Sequence, residues 1–221
     1  NMILYISMGE MKLNSISLVA SKNRRIAITG AFSALIILMG IPGLHLGYIQ
    51  LSPAASLTIM HIPVILAAVL AGLPGGIVTG LVFGLTSLVN AAANPSGLLD
   101  PLFVNPFCSV LPRMLFGAAA WGVFRLLSMV PVFPKTLCAA VTSFLTTLLH
   151  TVMVIGSMYV FLNSQMSETM GGMGFVMVMG IILPGALLEA VAATFVCAAV
   201  TAAMSAASSK KAKIFSEENK D

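Results

Sequence analysis

Four ionisable side chains interrupt otherwise apolar stretches of this chain: His61, Arg113, His150 and Glu189. Burying such groups in lipid is costly, so they are paired, turned inward or functional. Together they offer a fixed cation, two imidazoles that can donate or accept, and one carboxylate. That set suits holding a small polar molecule. Asn90, Asn94 and Asn105 add neutral hydrogen-bonding groups nearby in sequence. Each has a plain structural alternative: a lone histidine is often a satisfied core group, Arg113 can anchor a helix at lipid headgroups, and asparagines make turns. Glu189 resists that alternative, because a glutamate a turn and a half inside an apolar helix cannot reach the interface. The motifs of harder chemistry are missing. There is no GxxxxGK[ST] phosphate loop, no HExxH, no paired acidic motif and no Ser-His-Asp arrangement. Cys108, Cys138 and Cys197 share no CxxC spacing and read as small buried hydrophobes. Neither a metal set nor a cofactor is expected.

The elements that must position these residues are membrane helices. Hydrophobic residues make up 58% of the 221, charged residues only 8%, and mean hydropathy is +1.02, far from the roughly one-quarter charge of a soluble domain. The expected fold class is an all-α integral membrane protein, with room for six transmembrane helices. Three regions are expected: an N-terminal segment 1–22, a membrane domain 23–207 and a charged tail 208–221. Span one follows Arg24-Arg25 and ends near Gly40. Spans two and three form a hairpin over Ser56–Asn90 that reverses at Gly72-Leu-Pro-Gly-Gly76. Span four is predicted to open at Pro112, a favoured first helical position, and to end near Met129. Span five covers Thr136 to Leu162, and span six runs from Pro184 to about Ala207. Residues 1–22 lack the pattern of a signal peptide, and Met8 or Met11 is an equally good start.

Positive charge sets the orientation. With six spans, ten of the eleven Lys and Arg residues fall on the side that holds both termini, which the positive-inside rule makes cytoplasmic. This accounts for the net charge of +4 without nucleic acid, for which there is no basic stripe with interleaved aromatics. Arg113 is then at the outer mouth of span four and His61 at the outer start of span two. Glu189 lies roughly 7.5 Å down span six, and His150 roughly 22 Å up span five. All four converge on the outer end, so a polar chamber open to the outside is expected between the ends of spans two, four, five and six.

Small residues mark where helices approach closely. Gly76, Gly80 and Gly84 leave one face of span three almost without side chains, and Ala27/Ala31 form a small-xxx-small pair in span one. Span six carries Ala186, Ala190, Thr194, Ala198, Ala202 and Ala206 in one register. Internal packing is the default reading of all three. Met166, Met170 and Met173 form a soft cluster suited to a gate. No inverted repeat of the kind common in secondary transporters is visible. A binding chamber without an engine implies a partner.

These residues together give a family resemblance. The Ala27-xxx-Ala31 pair, the run His61-Ile-Pro-Val64 leading to Gly80-Leu-Val-Phe-Gly84-Leu-Thr-Ser87, Pro112-Arg113, and Leu188-Glu189-Ala190 resemble the substrate-binding S-components of energy-coupling-factor (ECF) vitamin transporters over about residues 23–207. The middle run looks most like the pantothenate and hydroxymethylpyrimidine branch. The resemblance implies a subunit of the bacterial cytoplasmic membrane, with no enzymatic activity, that captures a small water-soluble vitamin or precursor. It also implies a membrane-embedded coupling subunit, docked through Ala27 and Ala31, and two ATPase subunits. His61, Asn90, Arg113, His150 and Glu189 become the expected substrate contacts. A pantothenate carboxylate would suit Arg113, and an aminopyrimidine would suit Glu189. Departures at Leu149-His150-Thr151 and Leu183-Pro184-Gly185, where the family pattern leads us to expect asparagines, leave the vitamin open.

Two other classes stay in view. A solitary ion-coupled transporter would need Glu189 or His150 to titrate during its cycle. A membrane enzyme would use His150 and Glu189 as base and acid, without a nucleophile or metal set to support them.

Overall fold

Glycine spacing organises the middle of the molecule. In the computed structural model, which describes residues 22–41, 47–52, 55–95 and 97–218, the apolar hairpin consists of α2 (His61–Ala71) and α3 (Leu73–Ala93). Gly72 turns the chain with φ of +83°, a left-handed backbone that glycine adopts at little cost, and its N–H closes α2 on the Ala68 carbonyl at 3.1 Å. Gly76, Gly80 and Gly84 then face a neighbouring helix, Pro106–Leu127. A Cβ on Gly84 would sit 2.6 Å from Val110 Cα, and Cβ atoms on Gly76 and Gly80 would run into the carbonyls of Gly117 and Arg113. Ser109 Oγ reinforces the seam by donating to the Gly84 carbonyl at 2.9 Å. The glycine stripe is therefore internal packing.

The remaining elements are α1 (Lys22–Met39), β1 (Tyr48–Ser52), β2 (Ala55–Thr58), a 3-10 turn over Asp100–Val104, α4 (Pro106–Leu127), α5 (Lys135–Phe161), α6 (Asn163–Thr169) and α7 (Phe175–Glu218). The regular structure of the described residues is thus helical apart from one antiparallel β-hairpin, which pairs Tyr48 with Thr58 and takes residues 56–58 out of the expected second span. Among the described residues, four helices are long and apolar enough to cross a membrane: α3, α4, α5, and α7 over Phe175–Ser209. α1 has 18 residues but opens with Lys22, Arg24 and Arg25. α2 has only 11, all of them buried. The segment 1–21, the breaker residues Pro42 and Gly43, and the last residues 219–221 lie outside the described residues.

Three boundaries depart from expectation, each for a local reason. α4 opens at Pro106, not Pro112, because Asn105 caps it: its Oδ1 accepts the Phe107 N–H at 2.9 Å, and Pro106 takes the first-turn position. Pro112 consequently lies inside the helix. α7 begins at Phe175, nine residues ahead of Pro184, which is also internal, and it continues unbroken through Glu218 beyond the expected end at Ala207. α2 starts at His61 because the preceding residues belong to β2. On α7 the buried small-residue line follows Ala186, Ala190, Ala193, Cys197 and Thr201. A strict spacing of four drifts around a helix of 3.6 residues per turn, which leaves Ala202 and Ala206 exposed.

Two apolar clusters form the core. One joins Ile36, Val64, Ile65, Phe116, Ala120, Cys138, Ala139 and Cys197 near the Gly72 turn. The other joins Leu102, Cys108, Val154, Met158, Met166, Met170 and Val178 near the opposite end. Along α4 and α5 the buried residues between them are polar apart from Pro112: Ser109 and Arg113 on α4, and Thr142, Ser143, Thr146, Thr147, His150 and Thr151 on α5. All three cysteines are buried and unbridged.

Candidate functional site

The residues between the two clusters are where three predicted positions meet. α2 is about 16 Å long and ends at Gly72, so His61, at its start, lies level with the middle of α3 near Phe83. It does not reach the end of the bundle, as a full-length span would have required. Arg113 is the eighth residue of α4, about 10 Å in, and not at its mouth. His150 is the sixteenth residue of α5. These three come together at mid-depth. The imidazoles of His61 and His150 lie 6.2 Å apart between ring centres and 21° from parallel, while Phe116 and Phe83 stand 4.8 and 5.7 Å from His150. The Arg113 guanidinium carbon is 4.6 Å from the Phe103 ring centre and 5.6 Å from that of Phe83. Such faces attract a cation, and here they hold it in a dry setting.

Pro112 explains how Arg113 is aimed. A proline inside a helix has no N–H for the carbonyl four residues earlier, here Cys108. Arg113 Nη1 takes that place and donates to the Cys108 oxygen at 2.5 Å. The freed carbonyl is satisfied by side chain, as lipid demands. Pro112-Arg113 is therefore one structural unit: the proline creates the acceptor that orients the guanidinium.

The layer is closed and partly unsatisfied. His61, Arg113 and His150 are 0, 4 and 5% exposed, in place of the open chamber that depth alone suggested. Both ring nitrogens of His61 and Nε2 of His150 are buried without a well-formed hydrogen bond, the Thr58 backbone lying close to the His61 ring. So are the hydroxyls of Thr142 and Thr147 on α5. Buried polar atoms are nearly always paired, so the orphaned imidazole nitrogens beside Arg113, with orphaned hydroxyls about one to two turns along α5, mark a place built for something that is absent. The threonines escaped the sequence analysis, although two runs spaced by four signal them: Thr142, Thr146, His150 and Ser143, Thr147, Thr151, all buried. Phe83, Phe103 and Phe116 escaped too, since an aromatic in an apolar helix looks like any core residue.

Two predicted residues are engaged by backbone groups. Asn90 donates from Nδ2 to the Gly40 carbonyl at 2.7 Å and so fastens α3 to the end of α1. Glu189 is the fifteenth residue of α7, about 21 Å from its start, and not a turn and a half from the surface. Its Oε1 accepts the Thr58 N–H at 2.5 Å. Among the described residues no group of three or more His, Cys, Asp or Glu could hold a metal. A groove of about 500 Å³, lined by Pro101, Val104, Asn105, Pro106, Phe107, Leu162 and Gln165, opens beside the 3-10 turn that carries Phe103. Asn105 is the one residue in it that sequence reasoning singled out, and it caps α4. Met166 and Met170 are packed into the cluster above the layer, and Tyr159 Oη donates to the Met173 carbonyl at 2.6 Å.

Residues 24–201 match the family model described as "ECF transporter, substrate-specific component". No curated protein matches the chain. The family is one of transporters and not of enzymes, and its substrate-specific components associate with the subunits of an ECF module and with a small-molecule substrate. With four long apolar helices and a family match over most of its length, the chain belongs to the substrate-specific components of ECF transporters and is a multi-pass membrane protein.

Proposed function

We propose that this chain is the binding subunit of an ATP-driven ECF importer in the bacterial cytoplasmic membrane, and that it captures a small water-soluble vitamin or precursor in the layer of His61, Arg113 and His150. The observation that carries the reading is the set of orphaned nitrogens on two buried histidines beside a buried guanidinium. The six-span topology completes it, with α1 and the short α2 as the two further spans and both termini cytoplasmic. The β-hairpin, the Phe103 turn and α6 then face the outside, from which substrate enters. Within the pantothenate and hydroxymethylpyrimidine branch, the site chemistry favours the acid. A carboxylate suits Arg113, and hydroxyl or amide groups suit the imidazoles and the Thr142 and Thr147 hydroxyls. A cationic aminopyrimidine would need the carboxylate of Glu189, which is engaged at Thr58. Asn90 leaves the contact set for the same kind of reason.

Ala27 and Ala31 support docking on the coupling subunit. Both are exposed, with Gly30 and Ala34 on the same face of α1, and a Cβ on Gly30 would touch nothing within 4 Å. That surface admits a helix at close range.

A thermal-shift screen of the purified chain against the B vitamins and their precursors tests the reading. A ligand at a hundred times its dissociation constant adds about 2.7 kcal/mol of stability. Pantothenate is the expected hit. Stabilisation by hydroxymethylpyrimidine alone would reverse the choice of substrate, and silence across the panel would remove vitamin capture.

A further inference from the structure

We propose that Glu189 is a positioning residue: it pins the β-hairpin to α7 and through it sets His61, and does not itself touch the substrate. The bond from Thr58 N–H to Glu189 Oε1 spans 131 positions of sequence and joins α7 to the last residue of β2. Thr58 is also the knot at the base of the hairpin. Its Oγ1 donates to the Gly47 carbonyl at 3.2 Å, and the next residue, Ile59, donates its N–H to the same carbonyl at 3.1 Å. From Ile59 the chain passes directly into α2, whose first turn is held by the Ile62 N–H on the Ile59 carbonyl at 3.2 Å. α2 has no side-chain cap at Met60. The start of that helix, and with it the imidazole of His61, is therefore located by the bonds that begin at Glu189.

The chemistry fits a pin better than a ligand contact. A buried carboxylate needs donors, and a backbone N–H is a donor that cannot rotate away. Among the described residues the hydrogen bond of Glu189 goes to Thr58, and none joins it to His61, Arg113 or His150. Glu189 nonetheless lies only 8% exposed in the membrane-length part of α7, a costly place for a carboxyl group with no task. Fixing a histidine whose ring nitrogens have no well-formed hydrogen bond is such a task, because orphaned atoms bind a ligand well only when they are held still.

This inference rests on the proposed substrate site only for the use made of His61, and its test needs no ligand, so either can fail without the other. The test is amide hydrogen exchange of the ligand-free full chain in lipid nanodiscs, read on peptides covering 55–60 and compared with peptides of α4. A backbone N–H that loses its buried acceptor loses its protection, so Glu189→Ala is expected to speed exchange at 55–60 by about ten-fold or more and to leave α4 unchanged. Glu189→Gln keeps an acceptor oxygen of the same reach and is expected to stay within about three-fold of wild type. Unchanged exchange at 55–60 in the alanine variant would overturn the pin. So would a rise shared equally by α4, or a glutamine variant as unprotected as the alanine one.

Discussion

At the scale of single residues, the candidate site trades stability for vacancy. His61 is buried with neither ring nitrogen in a well-formed hydrogen bond, so a phenyl ring of similar shape removes an unmet desolvation cost. His61→Phe is expected to stabilise the ligand-free chain by about 1 to 3 kcal/mol in reversible unfolding while abolishing ligand-induced stabilisation. A loss of stability instead would mean that the imidazole is satisfied in the folded protein. Arg113 and Pro112 make a second test. Arg113→Met leaves the Cys108 carbonyl without its donor and should cost about 1 to 3 kcal/mol. Adding Pro112→Ala supplies a backbone N–H to that carbonyl, so the double variant should regain part of the loss, and strict additivity would refute the coupling. These residues were legible in sequence as exceptions, because a charge or imidazole in an apolar run is conspicuous. Their partners were not. Nothing in the spelling of Glu189 or Asn90 reveals that one ends on Thr58 and the other on Gly40, since those bonds close loops of 131 and 50 residues.

At the scale of elements, close backbone approach carries the architecture. Gly80 abuts the Arg113 carbonyl, so Gly80→Ala must push α3 and α4 apart just where Arg113 is aimed. The expected cost is about 2 kcal/mol or more, with ligand binding lost as well. Gly156 on α5 meets nothing within 4 Å of an added Cβ, and Gly156→Ala should be neutral or raise stability by up to about 1 kcal/mol. Thermal midpoints of the two variants side by side decide whether the glycine stripe, and not glycine content in general, holds the bundle. The stripe and the Gly72 reversal were readable from spacing alone. Helix starts were less so. Pro112 and Pro184 look like first-turn prolines, yet both are internal, because a cap at Asn105 and an apolar run from Phe175 open the helices earlier. A proline marks where a helix loses one bond, and neighbouring residues decide whether it ends there.

At the scale of the whole molecule, binding and transport should separate. Ala27→Leu with Ala31→Leu places bulk on an exposed face of α1 away from the site. The expected outcome is ligand-induced stabilisation unchanged, with uptake and co-purification with the coupling module lost. Proton-dependent uptake by the purified chain alone, in vesicles without ATPases, would favour the ion-coupled alternative and overturn the partner reading. Composition by itself determined that this chain lives in a membrane, since its hydropathy leaves no other solvent for its side chains. Local spacing by itself determined the hairpin and the close helix seam, because helical periodicity is a property of neighbours. The ionisable exceptions His61, Arg113, His150 and Glu189 stood out from their apolar neighbours; the buried threonines did not. Tertiary structure decided the rest. It set α2 short, placed His61, Arg113 and His150 at the middle of the bundle and not at its mouth, surrounded them with Phe83, Phe103 and Phe116, and gave Glu189 a bond to Thr58 of the hairpin. Depth and partnership depend on how separate helices are stacked, and that stacking is set by contacts between residues far apart in the chain, which no local pattern encodes.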